Sequence, residues 1–588
     1  MIKVLCRGAQ AGAEVIRAKQ GGGRCTIILD MQTTVETKTR ARADWRRSAR
    51  RAASVVALCA AAAFFAQSAV SLPGVARRPA THTPAQKRTR PDVARFSQRV
   101  AAILGGEHAK QAYWGILVTD RQTGETLYEL NPERYFALAS NTKLFTSALA
   151  LEALGRDYRF HTTLESSEAL DADGRVKGDL RLVGRGDPDL SNRKFPYAGR
   201  PEREGPAEKV LVELADAGVR SGLREVDGDI VADDSYLPYD PYPAGWSAGD
   251  LFFSFGAPVS AIAFNENVVS IEVQAGTRVG EAAKVTAKPE AALAALAQEV
   301  TTGPAGGQPE LAVVRRPGQD FVLLRGTVPL GEVHTRIELA MTAPAEAAAR
   351  ALRQLLEERG VRVKGGTRVE HAPPPETSAS GEPILSHIAA PPDPKDAIVI
   401  AEHISPPLIE SIRVANKVSQ NIHAELFLRA VGREKLGMGS TAAGLKVERG
   451  FLERAGIGED EVVLTDGSGL SRGNLVTPRA VVTLLRYAAR QPWGRDYLSI
   501  LPVAGVDGTL EDRMKNTAAA GRIEAKTGSV EHVHALSGYA TTVANEQLAF
   551  AIFCNNDVER GPNATAAIDA IATAMVETLG GRQARKNQ

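Results

Sequence analysis

Three short motifs carry residue types that can do chemistry. They are Ser140-Asn141-Thr142-Lys143, Ser419-Gln420-Asn421 and Lys526-Thr527-Gly528, and they follow one another as S-x-x-K, S-x-N and K-T-G along a chain of 588 residues. A serine hydroxyl is a weak nucleophile and needs a base close by. Lys143 can be that base only if its pKa is depressed, which burial or a neighbouring cation such as Lys526 would do. Ser140 and Lys143 are three apart, so on a helix they share one face about a turn from each other. The start of such a helix would also aim free backbone N–H groups at developing negative charge. In the second motif, Ser419 suits a proton relay and the Asn421 amide suits a peptide backbone. In the third, the Lys526 ammonium and Thr527 hydroxyl suit a carboxylate, and Gly528 lets a ligand approach a strand closely.

Context separates these motifs from decoys. S-x-x-K occurs a second time, from Ser191 to Lys194, but Asp187-Pro188 precede it and Phe195-Pro196 follow, so a helix is not expected to carry that pair. S-x-N and K-T-G each occur once. Read alone, Ser419 is also a candidate helix N-cap, since an apolar helix follows it. Gly245-Trp246-Ser247-Ala248-Gly249 matches the nucleophile elbow of α/β-hydrolases, a rival reading. The prolines at 238, 241 and 243 forbid the buried strand an elbow needs, and no helical run follows. His532 and His534 could face one way as a metal pair, but no third ligand is near, so they read as rim residues.

The elements that must position the motifs are legible from periodicity. Tyr113–Val118 and Glu125–Tyr128 read as strands joined by a turn at Thr123-Gly124. From Thr142, Leu144, Phe145, Ala148, Leu149 and Leu151 recur at helical spacing until Gly155. Further helices are expected from about Ile422 to Val431, ending at Gly432, from Pro478 to Arg490, and from Ala564 to Leu579 with Asn563 as cap. Arg522–Thr527, Ala535–Thr542 and Leu548–Asn555 read as antiparallel strands, and alternation puts Lys526 and Gly528 on one face. Between Lys143 and Ser419 the numbering advances too far for any loop in a compact domain. That stretch has its own strands (Asp179–Val183, Val268–Val273, Phe321–Leu324) and a helix (Pro344–Gly360), followed by a turn-rich exit from Ala372 to Pro383. It reads as inserted domains over 166–395 that split the motif-bearing domain into 96–165 and 396–580, with a tail at 581–588.

Charge is uneven. Residues 1–71 hold twelve Lys/Arg against four Asp/Glu, so a chain of net charge +2 is left at −6 without them. That balance argues against nucleic acid as a partner. Basic residues from Arg40 to Arg51, an apolar run from Ala52 to Phe65 and small residues near Ala66-Gln67-Ser68 have the order of an export signal. The run is shorter than a membrane-spanning helix needs, so membrane association would be peripheral at most. Residues 72–95, rich in Pro, Arg and Thr, read as a basic linker. Cys6, Cys25 and Cys59 sit in the leader, so Cys554 alone would remain, as a core residue.

The three motifs in this order resemble those of the D-alanyl-D-alanine carboxypeptidase/endopeptidases, the low-molecular-mass class C penicillin-binding proteins. Gly184-Arg185-Gly186-Asp187-Pro188-Asp189-Leu190, Asp466–Arg472 and Leu501–Leu510 also look typical of that family, as does the large insert. The resemblance implies an α/β (α+β) transpeptidase-like domain, an antiparallel sheet flanked by helices, with inserted mostly-β domains. It implies Ser140 as nucleophile, Lys143 as base, Ser419 and Asn421 in proton transfer and peptide binding, and Lys526, Thr527 and Gly528 at the terminal carboxylate. The backbone N–H groups of Ser140 and Ser529 would form an oxyanion hole, and Asp234, beside Asp233, would bind a side-chain amine of the stem peptide. Implied with these are peptidoglycan stem peptides as substrate, β-lactams as acylating inhibitors, a periplasmic location, and no metal or organic cofactor. A peptidoglycan-binding scaffold without turnover and a β-lactamase are the alternative readings.

Overall fold

The protein, described here from a computed structural model, is defined at residues 90–107, 109–198, 203–315, 321–332, 334–375, 397–558 and 564–581, together with the backbone of three strands in the first thirty residues. The motif-bearing domain is built on one antiparallel sheet. Its strands are β1 (Tyr113–Asp120), β2 (Thr126–Leu130), β3 (Ile523–Val530), β4 (Val533–Thr541) and β5 (Gln547–Asn555), in the spatial order β3-β4-β5-β1-β2. The K-T-G strand β3 is therefore an edge.

Both faces of this sheet are covered, because successive side chains point to opposite sides and both sets are apolar. Ile116, Val118, Phe550, Ile552 and Cys554 join one buried cluster, and Leu117, Ala549, Ala551 and Phe553 join another. Helices α1 (Pro91–Leu104), α2 (Lys143–Ala153), α3 (Leu408–Lys417), α4 (Asn421–Leu436), α5 (Thr441–Arg454), α6 (Pro478–Ala488) and α7 (Ala564–Thr578) supply the partners. Phe96 and Val100 of α1 pack with Ile568 and Ile571 of α7 on the first face, while α2 to α6 share the cluster on the second. Helix α4 is buried at every position from Asn421 to Gly432. It is a central helix, which is why its polar residues face protein rather than water.

The chain leaves this domain and returns through a second sheet, Thr367–Ala372, Ile230–Pro238, Leu180–Gly184, His161–Ser166 and Ile398–Ile404 in spatial order. The first three are parallel and are linked through helices Lys209–Arg220 and Pro344–Glu358, as parallel strands require crossovers. Smaller sheets, one of them Lys284–Lys288, Val268–Gln274 and Thr335–Ala340, complete the insert.

Several expectations need correction. His161–Ser166 and Ile398–Ile404 pair with each other, so the insert runs from about 161 to 404 rather than 166 to 395. The first helix starts at Pro91, with proline at a position that tolerates it, so the linker ends before 90 and not at 95. Helix α4 passes through Gly432 and stops at Gly437, which takes the left-handed cap. Helices Lys209–Arg220, α3 and α5 are additions, and the insert is less purely β than expected. Within the expected leader, strands Lys3–Cys6, Ala13–Gln20 and Gly23–Asp30 extend a sheet alongside Glu310–Arg315. The export pattern from Arg40 to Ser68, residues 72–89, the exit from 376, the Asn563 cap and the tail beyond 581 lie outside the described residues. Among the described residues no helix is long and apolar enough to cross a membrane.

Phe553 and Phe136 meet beneath the turn that carries Ser140, with ring centroids 5.7 Å apart. Phe553→Ala should therefore lower stability by about 3–5 kcal/mol, read as a lower urea midpoint, whereas Val506→Ala, at an exposed position, should leave the midpoint unchanged.

Candidate active site

Ser140 lies in a single tight turn, Ala139–Thr142, that runs directly into α2 at Lys143. The Lys143 Nζ is 3.0 Å from Ser140 Oγ. Its other contacts are Asn421 Oδ1 at 2.6 Å and the Ser468 carbonyl at 2.7 Å. The amine is fully buried, and burial pushes its pKa down to about 7, with Asp466 and Glu425 opposing the shift. That is the condition the first motif requires of a base.

Val418, Ser419 and Gln420 form the short link between α3 and α4. Ser419 is not a helix cap; Gln420 holds that position and makes no side-chain cap bond. The Ser419 hydroxyl instead accepts from Lys526 Nζ at 2.9 Å. Its backbone sits in the left-handed region at φ 63°, which costs an L-residue about 1–2 kcal/mol. Lys526 also donates to the Thr527 carbonyl, at 2.9 Å. Burial, with Lys143 as a nearby cation, holds the Lys526 pKa well below the lysine range. A ligand carboxylate reaching it would supply the missing countercharge. The Thr527 hydroxyl donates to Thr509 at 2.8 Å.

The structure brings Ser140, Lys143 and Asn421 into one hydrogen-bonded group and Ser419 and Lys526 into a second, with Lys526 also donating to the Thr527 carbonyl. Gly528 has a steric reason to be glycine: a Cβ there would lie 2.3 Å from the Leu138 carbonyl. Ser529 follows on β3 and is exposed. Asp234 belongs elsewhere. Its carboxylate, buried in the insert, meets Ser260 at 2.8 Å and His371 at 2.6 Å, and its partners include no motif residue. Neighbouring Asp233 pairs with Arg181 at 2.5 Å. The decoys stay apart. Ser191 lies outside any helix, and residues 245–249 form a loop whose Trp246 donates to Asp466. His532 is in the turn between β3 and β4 at φ 62° rather than in an extended segment. Among the described residues no group of three or more His, Cys, Asp or Glu is placed to hold a metal.

Sequence reasoning missed the supports of the site. Asn141, at a free position of S-x-x-K, donates to the Lys526 carbonyl at 3.0 Å and so ties the Ser140 turn to the edge strand. Asp466 accepts from the backbone N–H groups of Gly469 and Ser471, and Glu425 accepts from those of Gly467 and Ser468. These bonds shape the loop whose carbonyl holds Lys143. Burial and nearby Asp466 raise the Glu425 pKa. Gly469, at φ 85°, backs directly onto the Ala139 carbonyl, which a Cβ would meet at 1.9 Å. The insert also reaches in, for Asn421 Nδ2 donates to the Phe255 carbonyl at 2.8 Å. The one available signal was Glu425 itself, an acid one turn after Asn421 among the apolar residues Ile422, Ala424, Leu426, Phe427 and Leu428.

Comparison with known proteins identifies the family and the fold. The family model described as D-Ala-D-Ala carboxypeptidase 3 (S13) matches residues 96–392 and 378–575. The D-alanyl-D-alanine carboxypeptidase of Actinomadura sp. (strain R39) is 35% identical over 492 residues, covering 82% of this chain and 84% of that one. The chain belongs to the D-Ala-D-Ala carboxypeptidase 3 (S13) family. The D-alanyl-D-alanine carboxypeptidase DacB of Haemophilus influenzae is 27% identical over 450 residues, 75% of this chain and 85% of that one. The crystal structure of penicillin binding protein 4 (dacB) from Haemophilus influenzae has the same fold, with a TM-score of 0.66 at 24% identity over 81% of this chain and 98% of that one.

Lys143 works as a base only when neutral. With its pKa near 7, serine acylation should rise about tenfold per pH unit below 7 and level off above it, measured with a labelled penicillin between pH 5 and 9. Lys143→Arg, which cannot deprotonate, should lose the reaction at every pH in that range.

Proposed function

We propose that Ser140 carries the serine-type D-Ala-D-Ala carboxypeptidase reaction of this family, with Lys143 as its base. The observation that carries the reading is the buried, depressed Lys143 amine 3.0 Å from the Ser140 hydroxyl. Lys143 takes the Ser140 proton as Oγ attacks the carbonyl between the two D-alanines. The tetrahedral oxygen is received by the backbone N–H groups of Ser140 and Ser529. The proton passes to the leaving D-alanine amine through Ser419, which Lys526 already contacts. Water then resolves the acyl-enzyme.

Lys526 and Thr527 hold the terminal carboxylate of the substrate. Its negative charge favours the charged form of Lys526 and opposes the effect of burial. Asn421 keeps a role at the peptide backbone, since an amide nitrogen carries two hydrogens and Phe255 takes one. Asp234 is retained as a stem-peptide contact only through His371 and Ser260, which already engage its carboxylate.

The substrates in this reading are peptidoglycan stem peptides, met after export to the periplasm, and the same site would cleave D-amino-acid crosslinks as an endopeptidase. Penicillins would acylate Ser140 and stay bound; a solved structure of penicillin binding protein 4 from Haemophilus influenzae is described as complexed with a β-lactam. Treatment with labelled penicillin followed by peptide mass spectrometry should place one adduct on Ser140, and Ser140→Ala should abolish it without loss of fold. D-Alanine should be released from a pentapeptide. Label on Ser247, or no label, would contradict the reading. Fast penicillin turnover would indicate a β-lactamase instead, and binding without D-alanine release a scaffold.

A further inference from the structure

The S-x-N link is anchored from two sides, and one anchor belongs to the insert. On the α3 side, Lys417 donates to Asp507 at 2.5 Å. On the other, Gln420 Nε2 donates to Glu266 Oε2 at 2.8 Å. Glu266 is buried and is itself clamped. Arg193 reaches both of its carboxylate oxygens, Arg203 donates to it at 2.7 Å, and His423 of α4 comes within 3.4 Å.

The backbone around Glu266 is equally fixed. Asn265, Glu266 and Asn267 all have positive φ, at 49°, 57° and 56°, a run that non-glycine residues rarely form. Bonds from Asn265 N to the Leu190 carbonyl, Asn265 Nδ2 to the Val268 carbonyl and Asn267 Nδ2 to the Pro258 carbonyl hold it there. Strain of this kind persists only where the surroundings over-determine it. The result is a carboxylate held rigidly by the insert and offered to the middle residue of a catalytic motif.

We propose that Glu266 is a positioning residue for the acylation step. By receiving the Gln420 amide it holds strained Ser419 at hydrogen-bond distance from Lys526. The insert thus acts on the reaction through the middle residue of S-x-N, not through a group that touches substrate. The inference rests on Ser140 being the acylated serine.

The experiment measures acylation of the full chain by labelled penicillin, separating the limiting rate from half-saturation, alongside thermal unfolding. Gln420→Ala removes the tether and leaves the Arg193–Glu266–Arg203 cluster intact. Its limiting rate should fall about ten- to a hundredfold, with half-saturation within about twofold and the melting temperature unchanged. Glu266→Gln should fall similarly. The exchange Glu266→Gln with Gln420→Glu keeps the net charge and a carboxylate-to-amide bond, and should recover most of the loss. A wild-type rate in Gln420→Ala, a loss matched by a lowered melting temperature, or an exchange no better than the worse single variant would overturn the proposal. If the unsubstituted protein carries no label on Ser140, both this inference and the proposed function fail; if it does, only this inference is at stake.

Discussion

The site depends on the desolvation of two amines. Lys143 and Lys526 are both fully buried, and burial with Lys143 nearby lowers the readiness of Lys526 to be charged. A buried, unpaired ammonium is costly, and the structure meets that cost by letting Lys143 titrate near neutrality. What surrounds it are oxygens with partial charge, the Asn421 amide and the Ser468 carbonyl, while the carboxyl groups of Glu425 and Asp466 are held one step back on backbone N–H groups. Had either carboxylate touched the amine directly, a strong ion pair would have kept Lys143 protonated and useless as a base.

This arrangement explains the architecture around it. Each group next to the two lysines comes from a different element: the Ser140 turn, the link between α3 and α4, the Asp466–Ser471 loop, and the edge strand β3. Precision requires that those elements be cross-tied, and they are. Asn141 binds the turn to the strand, Gly469 lets the loop back onto the turn, and Asn421 and Gln420 join the link to the insert. Two residues beside the reacting groups, Ala139 and Ser419, carry left-handed backbone. Rigid neighbours on all sides are what keep such conformations in place.

Much of the motif-bearing domain was legible in the sequence because its elements follow simple periods. Strands β1, β3, β4 and β5 and helices α2, α6 and α7 fall within a few residues of the expected positions. Helix α4 was placed but cut short at Gly432, since a glycine packed inside a buried helix looks locally like a stop. The insert's boundary was misplaced because strand pairing between His161–Ser166 and Ile398–Ile404 joins segments more than two hundred residues apart, and no local pattern records such a pairing. At the site, the groups expected to react were visible as motifs, while the groups that hold them were not. Asn141 and Gln420 occupy the free positions of their motifs, and Phe255 contributes only its backbone carbonyl, which any residue type would provide.

The central claim is that burial brings the Lys143 amine to the point of losing its proton near neutral pH, so that about half of it is uncharged at pH 7. Lysine labelled with 13C at Cε allows its titration to be followed directly by NMR, with the Lys143 signal assigned as the one absent from Lys143→Met. The account predicts a resonance that titrates with a midpoint near 7, far below the usual lysine range. A midpoint near 10, where exposed lysines titrate, would contradict it.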